Sequence, residues 1–164
     1  MILKYFCFAL VGYASAYIST QILRTPVFKY FKVHDIVVFT EEKQYLRDEY
    51  NNIFIVDFSP CEDITNHKTI QKMVLGKNIR GKINIIYFDR IKKKNIINEY
   101  FKGKDNPMLH YELSTHSLDS INYHLIPKNI YDIIDKWSLS FNIYNHNCKH
   151  FSDYFVSAID KIKN

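Results

Sequence analysis

A chain of 164 residues, 47% hydrophobic and 16% aromatic, is long and apolar enough to fold as one domain around its own core without staples. Its net charge of +5 is modest and scattered, and three cysteines do not make a disulfide framework. The basic run at Arg90 and Lys92–Lys94 reads as a solvated face, and the absence of a Gly-rich phosphate loop, a paired Cys/His finger or an RNP-like aromatic strand argues against nucleic acid as a partner.

The first element is Tyr5 to Leu23, uncharged, set between Lys4 and Arg24 and containing the small-x-small pattern Ala14-Ser15-Ala16. Residues 1–24 therefore read as a signal peptide cut after Ala16 or an uncleaved membrane anchor, with a single domain over 25–164. A buried N-terminal helix is the alternative. Either targeting reading places the protein outside the cell or at a membrane, where Cys61 and Cys148 could pair and silence each other.

Val33–Phe39 predicts a strand with His34 at its start, and Ile53–Phe58 a second one stopped by Ser59-Pro60. The two could pair antiparallel. Asp57 lies inside the second apolar run, where a carboxylate is costly without a partner, although it could instead cap the turn at Ser59-Pro60. From Asp63 to Leu75 a helix is expected with Ile70, Met73 and Val74 inward and Gly76 as its stop. Lys82–Phe88 is a third strand, Ile91–Phe101 a basic amphipathic helix ended by Gly103, although Lys92 to Asn95 could equally be loop, and Met108–Ser114 is a fourth strand candidate. Pro127 opens a helix with Ile130, Ile133, Ile134 and Trp137 on one face. With no internal repeat or low-complexity linker, this pattern predicts an α+β domain of antiparallel strands packed with helices.

The last element carries the chemistry. Phe151, Phe155, Ala158, Ile159 and Ile162 form the apolar stripe of a helix that Asn147 can cap, which leaves Cys148 in the first turn. Unpaired amides and the helix dipole favour a thiolate there, and Lys149 adds positive charge. A thiol nucleophile also needs a base and a group to orient that base. Of seven histidines, His150 points to another side of the same helix, His146 reads as a loop residue, and His67, His116 and His124 lie in polar segments. His34 and His110 remain, each in a strand, and His34 has Asp57 on the neighbouring one. From these residues alone His34 stands open between a catalytic base and an ordinary strand-end histidine. No metal-ligand pair completes a tetrahedral set around Cys148, so no metal or cofactor is expected.

Asn147-Cys148-Lys149-His150-Phe151 resembles the N-C-x-H-F motif of the lecithin:retinol acyltransferase-like proteins, a circularly permuted branch of the NlpC-type, papain-like thiol fold. His34-Asp35-Ile36-Val37-Val38-Phe39 is similar to that family's first catalytic strand, and Ile55–Pro60 to the strand after it. The match runs in family order from about His34 to Ala158. It departs at Asp35, which replaces an aromatic, at Asp57, which stands where lipid-acting members place a second His, and in lacking a "G-D" strand before His34. The resemblance implies Cys148 as nucleophile, His34 as base and then acid, and Asp57 as the orienting group, with the Cys148 amide as an oxyanion donor. It implies a hydrolase or acyltransferase acting on a lipid ester through a thioester. A peptidase or isopeptidase of the same fold, and a binding module that has lost activity, are the competing expectations.

Overall fold

The computed structural model describes residues 17–28, 31–42, 50–92, 96–104, 110–113 and 128–163. Five strands follow one another across an antiparallel sheet: β1 (Tyr17–Phe28), β2 (Phe31–Glu42), β3 (Tyr50–Pro60), β4 (Ile79–Lys92) and β5 (His110–Leu113). A sixth, β6 (Ser140–Phe141), pairs with the start of β4. The helices are α1 (His67–Val74), α2 (Ile96–Lys104), α3 (Lys128–Asp135) and α4 (Cys148–Lys163). The chain is thus an α+β fold with an antiparallel sheet, as its patterning predicts.

Helices cover both faces of this sheet. Val37, Phe39, Phe54, Val56 and Phe58 pack with Ile130, Ile134, Phe151 and Phe155 from α3 and α4. The alternate residues Ile36, Val38, Ile53, Ile55, Ile86 and Phe88 pack with Tyr100 of α2. Two covered faces explain why β2 and β3 read as continuous apolar runs instead of a simple alternation. The expected pairing of β2 with β3 is present, in the register Val37↔Val56 to Glu41↔Asn52. His34 and Asp57 lie just past the end of that ladder.

Tyr17–Leu23, the end of the apolar stretch read from sequence as a targeting segment, lies in β1 and pairs with β2, with Ile22 opposite Val37. Residues 1–16, including Cys7 and the Ala14–Ala16 pattern, lie outside the described residues. Among the described residues no helix is long and apolar enough to cross a membrane. Helix α1 begins only after its Asn66 cap, and Thr69 Oγ1 donates to Glu62 Oε2, an anchor that turns Thr69 and Met73 inward. Ile70 and Val74 consequently face solvent, 45% and 61% exposed, contrary to their expected burial. Gly76 does stop the helix, at φ 68°.

Helix α2 begins at Ile96, just after the Lys92–Asn95 stretch that could equally be loop, and Ile91 and Lys92 stay in β4, opposite Asn51 and Tyr50. Gly103 does not end it. A Cβ at that position would stand 2.5 Å from Ile86 Cγ2 and 2.7 Å from Phe88 Cζ, so glycine is what lets α2 lie close on the sheet. In α4 the stripe is buried at Phe151, Phe155 and Ile159, whereas Ile162, in the last turn, is 48% exposed.

Candidate functional site

Cys148 is the first residue of α4, and the cap expected from sequence is formed. Asn147 Oδ1 accepts from the backbone amides of Lys149, at 3.0 Å, and His150, at 3.3 Å. Burial of Phe151 and Phe155 against the sheet then fixes where the helix begins, and with it the half-buried thiol. Lys149 differs from expectation: its Nζ donates to Asp153 Oδ2 at 2.7 Å, so the charge beside the thiol is matched one turn along. Cys61 and Cys148 are both free thiols.

The sheet brings the other two candidates to the same place. His34 on β2 hydrogen-bonds the Cys148 side chain, and its Nε2 lies 3.2 Å from Asp57 Oδ1 on β3. That second contact is a charge contact more than an aligned hydrogen bond. Three residues spread over 114 positions of sequence, His34, Asp57 and Cys148, thus meet at one end of the sheet.

Asp57 is fully buried and is held by two donors that sequence reasoning missed. Tyr100 Oη, from α2, donates to Oδ2 at 2.7 Å, and Asn84 Nδ2, directly opposite on β4, donates to Oδ1 at 2.8 Å. Neutral donors on both oxygens stabilise a carboxylate that burial alone would disfavour. Asn84 gave a readable signal, an amide between Ile83 and Ile85 in an apolar run. Tyr100 gave none, since its approach depends on the closeness of α2 that Gly103 permits. Burial pushes the Tyr100 hydroxyl well above the usual phenol range, and the Asp57 charge adds to this, so it remains a donor.

Burial is also the largest influence on His34, and it favours the neutral ring. The Asp57 charge and contact, helped by Cys148, outweigh it, and the His34 pKa is pushed up to about 9. The ring therefore carries its proton at neutral pH. Because the folded value lies above the ordinary 6.5, the stability that this charge contributes is complete below about pH 6.5 and is lost as pH rises through about 9. Thermal melts are expected to fall across that window in the wild type and to lose this component in His34→Gln; an equal decline in both would show that the group responsible is not His34.

Three of the remaining histidines have described side chains. His150 is exposed and its Nδ1 faces Asn147 Oδ1 at 2.9 Å. His146, expected to be a loose loop residue, is instead stacked on Trp137, with centroids 4.1 Å apart, and contacts Ser138 O through Nε2 at 3.0 Å. His67 is exposed at the start of α1. His110 lies in β5 opposite Ile86, and its side chain is outside the described residues, as are His116 and His124. Asp35, which departs from the family pattern, is buried and accepts from Arg24 Nε at 3.2 Å. Among the described residues no group of three His, Cys, Asp or Glu side chains is placed to hold a metal ion.

No family model, curated protein or solved structure matches this chain. A thiol in hydrogen-bond contact with a buried, carboxylate-paired imidazole has the parts of a nucleophile, a proton carrier and an orienting charge. Cys61 lacks them. Burial is the first cause that raises its pKa, and the nearby charges of Arg80 and Glu112 oppose each other.

Proposed function

We propose that this chain is a cysteine-dependent acyl hydrolase or acyltransferase, with Cys148 as nucleophile, His34 as proton carrier and Asp57 as its orienting group. The observation that carries this reading is the contact of Cys148 with His34 and of His34 with Asp57, from three separate elements. The order of those elements, His on an early strand and Cys on a helix after the sheet, supports a circularly permuted, papain-like arrangement of the lecithin:retinol acyltransferase-like type.

In the reaction, Cys148 Sγ attacks as the thiolate, its proton already carried by His34, and adds to the acyl carbonyl carbon as the carbonyl π pair moves onto oxygen, beside the first-turn amides of α4. When that pair returns, the bond to the leaving group breaks, and the His34 imidazolium gives the departing oxygen its proton. The product is a thioester on Cys148. Water or an alcohol then attacks the thioester while neutral His34 takes its proton, the C–S bond breaks, and the acyl product leaves. Water as acceptor makes the protein a hydrolase; an alcohol or amine makes it an acyltransferase. Asp57 holds the ring and its charge throughout and remains ionised.

A lipid ester is the substrate class proposed, and a secreted or membrane-associated setting goes with it. Cleavage after Ala16 would leave the chain starting at Tyr17, the first residue of β1, with the whole described sheet intact. The test offers the protein a phospholipid ester and an extended peptide and follows Cys148 by intact mass. The proposal expects a mass increase of one acyl group on Cys148 with the lipid and none in Cys148→Ala. Turnover of the peptide without lipid acylation would assign a peptidase, and no adduct from either would remove the catalytic reading.

A further inference from the structure

Asp57 carries more hydrogen bonds than holding one imidazole needs. Tyr100 Oη donates to Oδ2 at 2.7 Å, and Asn84 Nδ2 donates at 2.8 Å to Oδ1, the same oxygen that faces His34 Nε2 at 3.2 Å. Both donors are buried and both are fixed. Asn84 lies opposite Asp57 in the register of β3 with β4 and also donates to Ser59 Oγ at 3.0 Å. Tyr100 is set in place by the close approach of α2 at Gly103. Its ring stands 6.5 Å from the His34 ring, centroid to centroid, so its hydroxyl acts on the imidazole through Asp57.

The two halves of the reaction make opposite demands on that imidazole. Forming the thioester uses the imidazolium, which the resting site supplies, whereas hydrolysing it needs a neutral ring to take a proton from water. Among the described residues, the ionisable groups around His34 are Asp57 on β3, Cys148 on α4 and Tyr100 on α2, with the ion pairs Arg24–Asp35 and Lys149–Asp153 at neighbouring positions. Once Cys148 is acylated its negative charge is gone, and the Asp57 carboxylate is what keeps the proton on the ring. A donor aimed at a carboxylate disperses its charge, and the Asn84 N–H, directed at Oδ1, also turns its positive end toward the cationic ring. Each effect loosens the hold on the His34 proton.

We propose that Asn84 and Tyr100 are positioning residues that temper the pull of Asp57 on the His34 proton, so that the ring can turn neutral and accept a proton from water when the thioester is hydrolysed. This deepens the reading of Cys148, His34 and Asp57 as a thiol acylation site and rests on it.

The test uses Tyr100→Phe, which removes one oxygen and keeps the ring, and Asn84→Leu, which keeps the volume. His34 is followed by NMR titration of its ring, which needs no turnover. The half-reactions are followed with a p-nitrophenyl acyl ester, whose leaving group departs without a proton, from about pH 6 to about pH 10. In both variants the ring is expected to keep its proton to higher pH than in the wild type. Near neutral pH the initial burst is retained, acylated Cys148 accumulates by intact mass, and steady-state hydrolysis falls about tenfold, recovering as the pH is raised. A ring that titrates at or below the wild-type pH in the variants overturns the proposal. So does a hydrolysis rate lowered by one factor at every pH, which is what a merely structural role would give. A wild type that takes no acyl group would remove the reading of the site, whereas normal acylation with an unshifted titration in the variants would remove this proposal alone.

Discussion

Cys148→Ser is expected to abolish acyl transfer, lowering kcat by about 10⁴-fold or more, while leaving the fold intact. The substitution exchanges one atom on a half-buried residue in the first turn of α4 and keeps the Asn147 cap, whose acceptor bonds go to Lys149 and His150. A hydroxyl keeps its proton where a thiol yields it, and His34 already carries a proton at neutral pH, so it cannot activate serine. The measurement is turnover of an acyl ester alongside a thermal melt. A serine variant with near-normal turnover would place the nucleophile elsewhere.

The second large effect falls on Asp57. Asp57→Ala removes the charge that faces the protonated His34 ring and an acceptor shared by Tyr100 Oη and Asn84 Nδ2, the latter keeping its 3.0 Å bond to Ser59 Oγ. Removing one member of a buried ion pair costs about 3–5 kcal/mol, a large share of the stability of a domain this size. Asp57→Asn gives the cleaner reading, since it keeps the volume and removes the charge. With that charge gone, burial remains as the largest influence on His34, and its pKa is expected to fall below 6.5, with a loss of about 10⁴-fold in kcat. An NMR titration of the His34 ring distinguishes the outcomes. A value still near 9 in Asp57→Asn would mean that the carboxylate is not what holds the proton on the ring.

How much of this was legible depends on which physical term decided each residue. Cys148 could be read because its setting is local: a capping Asn and an apolar stripe at helical spacing place it in a first turn. Asp57 could be read because a charge within an apolar run demands a partner. His34 required one further step, the pairing of β2 with β3, which the sequence suggested and the register Val37↔Val56 bears out. Asn84 carries the same kind of signal as Asp57, but a weaker one, because an amide within an apolar run costs less than a charge. Tyr100 was not legible. It reaches Asp57 only because Gly103 lets α2 settle on Ile86 and Phe88, a tertiary fact with no local signature.

The helices show the same division. In α3 the apolar face was wide enough to fix its own orientation, and Ile130, Ile133 and Ile134 are buried as expected, as is Trp137 two residues past the helix end. In α1 the apolar residues were fewer, and the tether from Thr69 to Glu62 settled the rotation instead. Ile70 and Val74 therefore ended outside. Periodicity says that a helix has a face; neighbours decide where that face looks.

The central claim is that His34 governs the reactivity of Cys148, and the rate at which an electrophilic acyl probe modifies Cys148 tests it most directly. Wild type and His34→Asn would be compared near neutral pH, with the modified residue located by peptide mass. The account predicts fast labelling at Cys148, slow labelling at Cys61, and a fall of at least about 10²-fold at Cys148 in the variant. Equal labelling of Cys148 in both proteins, or labelling of Cys61 as fast as Cys148, would contradict it.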